Sequence, residues 1–220
     1  TLDNCRGPLR LDDGLLSRYG WFLLDDTRTP VFTRDWVEAR LGDGRRDWYF
    51  FGYGSNFHTA LRDLVTVSGR VPAPPPFVFG NWYSRYWPYS AEDYRRLVEE
   101  FAEHDFPLDV LVMDMDWHRP GWTGYSWNRE LIPDPDGLLN FFKEHGLAVT
   151  LNLHPASGVH PHEDAYEAFA RAMGVDASAR KPIPFDCTSP RFMEHYFKLL
   201  HHPLERQGVD FWWLDWQQQK

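Results

Sequence analysis

The sequence predicts an α/β chain in which a β-rich first stretch leads into the first half of a (β/α)8 barrel. Strand-like and helix-like segments alternate after residue 76, a rhythm typical of right-handed βαβ units and a parallel sheet. Each strand-like segment ends in polar side chains, at positions 81, 114, 152–154 and 215. Reactive groups at the carboxyl ends of successive strands are typical of this barrel. The sequence has no glycine-rich nucleotide loop, which argues against a doubly wound fold.

Residues 1–70 are predicted to form short strands followed by one helix. Apolar pieces at 20–24 and 47–53 are separated by Gly and Asp turns, which is typical of β structure. A helical spacing of apolar residues runs over 56–67. The proline run at 71–76 is stiff and cannot continue a helix. The sequence therefore predicts a boundary near residue 70, with 71–220 as a second domain.

The second domain is predicted to hold four strands and the helices that connect them. The strands are predicted at 77–82, 108–114, 147–153 and 209–215, and the helices at 90–104, 136–145, 163–173 and 190–207. Ser90 is the expected N-cap of the first of these helices. A complete barrel has about 250 residues, more than follow the proline run, so we expect a fragment with barrel strands one to four.

Composition and charge exclude several classes of partner. The formal net charge is −9 with the basic residues scattered, a field that would repel nucleic acid and anionic lipid. Neither a signal peptide nor a membrane span is recognisable, and this slightly favours a cytoplasmic location. Cys5 and Cys187 lie too far apart to suggest a disulfide framework or a zinc pair. Aromatic residues make up 17%, including 11 Trp, and their flat faces suit sugars as well as protein cores.

Asp215 is the strongest candidate for a reactive residue. It follows the apolar segment 211–214, and the period of two places it on the same side of the strand as Phe211 and Trp213. An ionised carboxylate in such a strand costs several kcal/mol unless it is paired or hydrogen-bonded, so its presence needs a reason. The alternative is that Asp215 caps the next helix.

The second strand ends in two carboxylates, Asp114 and Asp116, which share a side while the strand lasts. Such a pair can bind sugar hydroxyls as acceptors. In the alternative interpretation, one of the two binds turn amides and only the other faces a site. Further carboxylates at calcium-loop spacing are absent, so the sequence predicts no metal and no cofactor.

His154 ends the third strand and is a candidate pocket residue, whereas His160 and His162 are predicted to lie in an exposed loop. The three histidines lack the helical spacing and the cysteine partner that zinc sites use.

Taken together, these motifs resemble glycoside hydrolase family 31. The similarity is carried, in order, by the Arg-aromatic segment 84–90, the Asp-x-Asp-aromatic segment 114–117, the segment 127–135 that ends in Pro-Asp-Pro, and the ends of the third and fourth strands at 154–155 and 213–215. The front of the chain is similar to the end of the family's N-terminal β-sandwich. The family commonly has Met-Asn-Glu after the nucleophile, whereas this chain has Trp216-Gln217-Gln218.

The resemblance implies hydrolysis of terminal α-glycosidic bonds with retention of configuration. Asp215 would be the nucleophile that forms the glycosyl-enzyme intermediate, and Asp114 would accept hydroxyl groups at the subsite of the cleaved sugar. That subsite would further be lined by Trp213, Tyr86 or Trp87, and His154. The family's acid/base Asp lies on a later strand, beyond Lys220, so it is expected to be missing from this chain.

Three functions remain open on the sequence. The first is an exo-acting retaining α-glycosidase, with α-glucosidase ahead of α-xylosidase and α-N-acetylgalactosaminidase. The second is another carbohydrate-active barrel, such as an α-galactosidase-type enzyme or a transglycosylase. The third is a non-catalytic sugar-binding relic. All three have a carbohydrate as partner, and the sequence leaves the oligomeric state open.

Overall fold

The computed structural model describes residues 13–40, 42 and 44–215. The chain divides into two compact units, Thr1–Ala73 and Pro74–Lys220. Two domain assignments stay predictions. Residues 1–70 are predicted to be the end of a β-sandwich domain, and residues 71–220 are predicted to hold the first four barrel strands. In the described part of the chain, every helix is too short or too polar to cross a bilayer.

The first unit is built on a two-stranded antiparallel ribbon and a helix. Its elements are β1 (Trp21–Asp25), β2 (Val31–Phe32), β3 (Val37–Glu38), β4 (Trp48–Gly52) and α1 (Phe57–Ser68). β1 pairs with β4, at the two segments for which the sequence predicts strands. A small core forms around Phe51, Tyr53 and Ala60, where one face of the ribbon meets α1. The Asn56 side chain accepts a hydrogen bond from the Thr59 amide and so begins α1 where the sequence predicts a helix.

The described part of the second unit contains four parallel strands connected by helices. Its elements are β5 (Trp82–Tyr83), α2 (Ala91–Glu103), β6 (Val110–Met113), α3 (Pro135–Glu144), β7 (Ala148–Leu153), α4 (Tyr166–Met173), α5 (Pro190–Tyr196), α6 (His202–Gln207) and β8 (Phe211–Leu214). The strands lie in the order β5-β6-β7-β8, each parallel to its neighbour. The prediction of an α/β chain with consecutive parallel strands is confirmed.

The helix boundaries follow local capping chemistry. Ser90 and Asp93 form a capping box at the start of α2, in which each side chain accepts from the other residue's backbone N–H. The predicted helix at 190–207 is instead interrupted by a π-helical turn at Phe197–His201. Pro203 lies at the start of α6 and has no N–H to donate to the preceding turn, so one regular helix cannot run through this segment.

The predicted first barrel strand at 77–82 is wrong in its boundaries. Pro76–Phe79 forms a 3-10 turn, and only Trp82–Tyr83 pairs with β6. Asn81 therefore lies at the amino end of β5, where its amide donates to Asp109 Oδ2 at 2.8 Å and its side chain donates to the Pro107 carbonyl at 2.7 Å. These bonds hold Asn81 at the edge of the sheet opposite to the carboxyl ends of the strands.

The four-stranded sheet is curved, as in a barrel. On its helix side, alternate residues such as Leu111, Leu151 and Leu153 are fully buried in the main core. On the other side, the Trp82 ring lies 5.4 Å from Phe211 and 5.9 Å from Trp213, between ring centroids. β5 and β8 are the outer strands, and a flat sheet would hold strands three places apart at about 14 Å. The rings meet because the sheet curls toward this concave face.

Candidate active site

The carboxyl ends of β6, β7 and β8 place several predicted residues along one edge of the sheet. The register pairs Met113 with Leu151 and Leu153 with Leu214. His154 and Asp215 therefore come side by side, directly after their strands. The Asp215 amide donates to the Leu153 carbonyl at 2.9 Å, which extends the ladder by one bond and positions the backbone of Asp215.

The side chains of β8 alternate as the period of two predicts. Trp213 contacts Trp82 across the concave face, whereas Trp212 donates its indole N–H to Glu205 Oε1 of α6 at 2.9 Å. Asp215 therefore lies on the Trp213 side of the strand, away from the helices. Its side chain is 51% exposed and so open to a ligand.

His154 is the buried neighbour of Asp215. Its Nε2 lies 4.0 Å from Asp215 Oδ2, and its side chain is only 3% exposed. Burial lowers the pKa of the His154 imidazole below its usual value, and the negative charge of Asp215 opposes this shift. The imidazole is therefore neutral near pH 7, with one face covered by the indole of Trp122 at 4.2 Å between ring centroids.

Asp114 and Asp116 follow β6 in a single 3-10 turn, Met115–Trp117. Asp114 caps this turn, since its Oδ1 accepts from the Met115 amide at 2.7 Å. The sequence leaves open which of the two carboxylates binds a turn amide, and in the structure this residue is Asp114. Both aspartates are half-buried, and their part in substrate binding stays a prediction.

Tyr86 and Trp87 lie in the segment after β5 and are 69% and 52% exposed. The Arg85 guanidinium stacks on the Trp87 ring at 4.7 Å from its centroid. Hydrogen bonds from Arg85 to Tyr89 and Tyr83 raise the pKa of the guanidinium, so the guanidinium is protonated and positively charged. The assignment of Tyr86 or Trp87 to the sugar subsite also stays a prediction.

The loop after β7 contains His160 and His162, and neither lies in a group of metal-binding side chains among the described residues. His160 is half-buried, contrary to the expected exposure, because its Nε2 contacts the Ser157 carbonyl at 3.0 Å. His162 is more exposed, and its Nε2 lies 3.2 Å from Glu163 Oε1. Within residues 13–40, 42 and 44–215, no three His, Cys, Asp or Glu side chains are grouped to hold a metal ion. The 216–218 motif lies outside the described residues.

Sequence reasoning missed Trp122 and Glu163. Trp122 is 52% exposed and stacks on His154, and the Glu163 carboxylate is fully buried. A large aromatic residue with Gly121 before it and Gly124 two positions after it, six residues beyond Asp116, is a signal that could have pointed to Trp122. Glu163 has no comparable local pattern.

A curved parallel sheet with carboxylates and an imidazole at its strand ends defines the class of (β/α)8-barrel proteins whose site lies at that face. Residues 71–220 match the family model described as "Glycosyl hydrolases family 31 TIM-barrel domain". The chain belongs to glycosyl hydrolase family 31.

The relatives include α-xylosidases and α-glucosidases. The α-xylosidase XylQ of Lactiplantibacillus pentosus is 30% identical over 116 residues, which cover 51% of this chain and 15% of the relative. An α-xylosidase of Saccharolobus solfataricus is 22% identical over 183 residues, which cover 82% of this chain and 23% of the relative. A family 31 α-glucosidase from Bacteroides thetaiotaomicron has a similar fold, with a TM-score of 0.64, 22% identity, and coverage of 90% of this chain and 36% of that one. The chain thus spans less than a quarter of the two curated relatives.

Proposed function

We propose that this chain is the nucleophile-bearing part of a retaining, exo-acting α-glycosidase, with Asp215 as nucleophile. The carrying observation is an exposed carboxylate at the end of the fourth parallel strand, 4.0 Å from the buried imidazole of His154. Family membership and relatives that are glycoside hydrolases support the same reaction class.

The proposed chemistry is a double displacement. An Asp215 oxygen attacks the anomeric carbon, the bond to the leaving-group oxygen breaks, and an acid group protonates that oxygen. Water then attacks the anomeric carbon of the glycosyl-enzyme and gives its proton to the same group, while the bond between the anomeric carbon and Asp215 breaks and leaves the Asp215 carboxylate. The charge that develops on the sugar ring is stabilised by the carboxylate beneath it.

The second carboxylate, which acts first as acid and then as base, is proposed to come from a later barrel strand, beyond Lys220. Two carboxylates about 5–5.5 Å apart are needed for retention, and Asp215 supplies one. We therefore propose that the 220 residues expressed alone lack normal turnover. Assay of this chain beside the complete protein tests the point, and full activity of the chain alone would contradict it.

The proposed substrate is a terminal α-linked glucoside, bound by hydroxyl contacts to Asp114 and Asp116 and by the rings of Trp213 and of Tyr86 or Trp87. An α-xyloside is the second candidate, because the relative XylQ is an α-xylosidase. Parallel assays of 4-nitrophenyl α-glucoside and α-xyloside separate the two. Products longer than the substrate would instead indicate a transglycosylase.

The test of the nucleophile is Asp215→Asn in the complete protein. Asn is nearly isosteric and can still cap a helix, so the fold should persist while activity falls by several orders of magnitude. A mechanism-based fluoro-sugar should label the parent on the peptide that contains Asp215, and the released product should have the α configuration. Label on another carboxylate, or an inverted product, would overturn the assignment.

A further inference from the structure

We propose that Trp122 forms an aromatic wall of the subsite that holds the cleaved sugar and stacks on a C–H face of its ring. The proposal rests on the proposed function, since it takes Asp215 as the residue beneath the anomeric carbon. It adds a substrate-binding residue from the loop between β6 and α3, a loop for which the sequence suggests only the aspartates and the Trp127 segment.

Three side chains from three different elements form a continuous row at the site. The Trp122 ring lies 4.2 Å from the His154 ring with the planes tilted by 35°, and His154 Nε2 lies 4.0 Å from Asp215 Oδ2. His154 is buried between its two neighbours, whereas Trp122 and Asp215 are each about half exposed. A sugar ring bound over Asp215 would therefore be close enough to contact the exposed part of the Trp122 indole.

The backbone around Trp122 is a closed hairpin loop, residues 118–127. His118 and Trp127 form an antiparallel bridge, and the Arg119 amide donates to the Ser126 carbonyl at 3.0 Å. Trp122 lies near the tip of this loop. Its indole is thereby carried out to the carboxyl ends of the strands, where ligands of this barrel class bind.

The hairpin is anchored on both of its arms to the loop after β7. The buried Glu163 carboxylate accepts from the Tyr125 amide at 2.9 Å and from the Ser126 hydroxyl at 2.7 Å. On the other arm, Arg119 forms an ion pair with Asp164 and donates to the carbonyl of His162. Two independent anchors hold the indole in place, so little conformational entropy is lost when a ligand binds.

A tryptophan such as Trp122, which is 52% exposed on an anchored loop, is suited to recognition of a sugar. Aromatic rings combine a large apolar face with low side-chain entropy, and such a face complements the C–H groups of a pyranose. The exposed carboxylate of Asp215 supplies the polar part of the same wall, and the buried imidazole of His154 lies between this carboxylate and the indole. The ligand class is therefore a neutral pyranoside with one apolar ring face, such as an α-glucoside or an α-xyloside.

The test measures equilibrium binding of 4-nitrophenyl α-glucoside and α-xyloside to the complete protein in an Asp215→Asn background. Trp122→Ala should weaken binding of the preferred glycoside about tenfold, which is the effect of losing one well-packed aromatic contact. Trp122→Phe keeps a ring at this position and should recover most of the affinity. Phe106→Ala is the matched control, because Phe106 is an exposed aromatic residue that precedes β6 at the opposite edge of the sheet.

Unchanged affinity in Trp122→Ala, or an equal loss in Phe106→Ala, would overturn the proposal. Because binding is measured without turnover, the result is separate from the fluoro-sugar label on Asp215. Absence of that label would reject the nucleophile, whereas affinity that depends on Trp122 would still stand as evidence for the wall. If Trp122→Ala folds poorly, the Phe variant and a Leu variant compare a ring with an aliphatic group at the same site, and equal affinities for these two would reject stacking.

Discussion

His154 and Asp215 lie side by side at the ends of neighbouring strands, with Nε2 of the buried imidazole 4.0 Å from Oδ2 of the exposed carboxylate. Burial disfavours the imidazolium, whereas the Asp215 carboxylate, the backbone of Trp122 and the Asp114 carboxylate favour it, so the pKa of His154 reflects the balance of burial against these three effects. The charge on Asp215 can therefore be followed through the titration of its neighbour.

We predict that Asp215→Asn lowers the pKa of His154 further, because the opposing negative charge is removed while the burial remains. NMR titration of histidine labelled at Cε1 in the parent and the variant measures the change. His201 is the internal control, since Glu205 is the acidic group that raises its pKa. The His201 titration should be the same in both proteins. An unchanged His154 titration in the variant would contradict the pairing of His154 with Asp215.

His201 is expected to limit stability in acid. Its ring is buried among Tyr196, Phe197 and Trp212, and neither nitrogen has a hydrogen-bond partner among the described residues. Burial lowers its pKa from 6.5 to about 4. Because the folded value lies below the unfolded one, the stability that comes from keeping His201 neutral is fully present above pH 6.5, and it is lost progressively as the pH falls from 6.5 through about 4.

We predict that His201→Phe removes this loss, which amounts to about 3 kcal/mol when complete. The free energy of unfolding of the complete protein, measured by denaturant at pH 5 and pH 8, should differ less in the variant than in the parent. Phe197→Leu changes the packing of the same cluster without changing a charge and should lower stability equally at both pH values. A parent and a His201→Phe variant with the same pH dependence would contradict the prediction.

Asp114 is predicted to act in substrate binding rather than in bond making. Charge-assisted hydrogen bonds contribute about 1.5–3 kcal/mol each, so Asp114→Ala should reduce kcat/KM at least tenfold. The fluoro-sugar should still label Asp215 in this variant, although more slowly. Asp116→Ala is the comparison, because Asp116 lies two residues further along the same turn. Unchanged kinetics for Asp114→Ala with a loss for Asp116→Ala would exchange their roles.

Glu163 is predicted to anchor the hairpin loop 118–127. Glu163→Ala leaves the Tyr125 amide and the Ser126 hydroxyl without their acceptor, a loss of about 1–3 kcal/mol per buried group. Amide hydrogen exchange should accelerate over residues 119–126, while α2, which ends before β6 begins, keeps its protection. Glu163→Gln retains an acceptor oxygen and should fall between parent and Ala. Equal exchange in all three proteins would show that other contacts hold the loop.

Much of the second unit was predictable because its signals are local. The alternation in β8, with Trp213 and Trp212 on opposite faces, follows from the strand period. The cap at Ser90 follows from a side chain that bonds the amide three residues later. The curved sheet and the order of its strands follow from the βαβ rhythm and its handedness.

The errors occurred where a distant contact or a missing donor overrides the local pattern. The apolar run at 77–79 is typical of a strand, yet it forms a turn in which the Val78 and Gly80 amides donate to the carbonyls of Pro75 and Phe77. Asn81, which follows the turn, is bonded to Asp109 and Pro107 on the next segment. The segment 190–207 has apolar residues at helical spacing throughout, which predicts one helix. Pro203 removes a backbone donor, and the helix is interrupted before it.

That Asp215 ends an apolar strand on the same side as Trp213 can be read from the sequence, because side-chain direction along a strand depends only on position. Three contacts emerge only when the chain is folded: His154 lies beside Asp215, Trp122 covers His154, and Glu163 holds the loop of Trp122. These contacts join residues that are tens of positions apart in the chain. They depend on strand register and on loop closure, and neither of these produces a repeating pattern in the sequence.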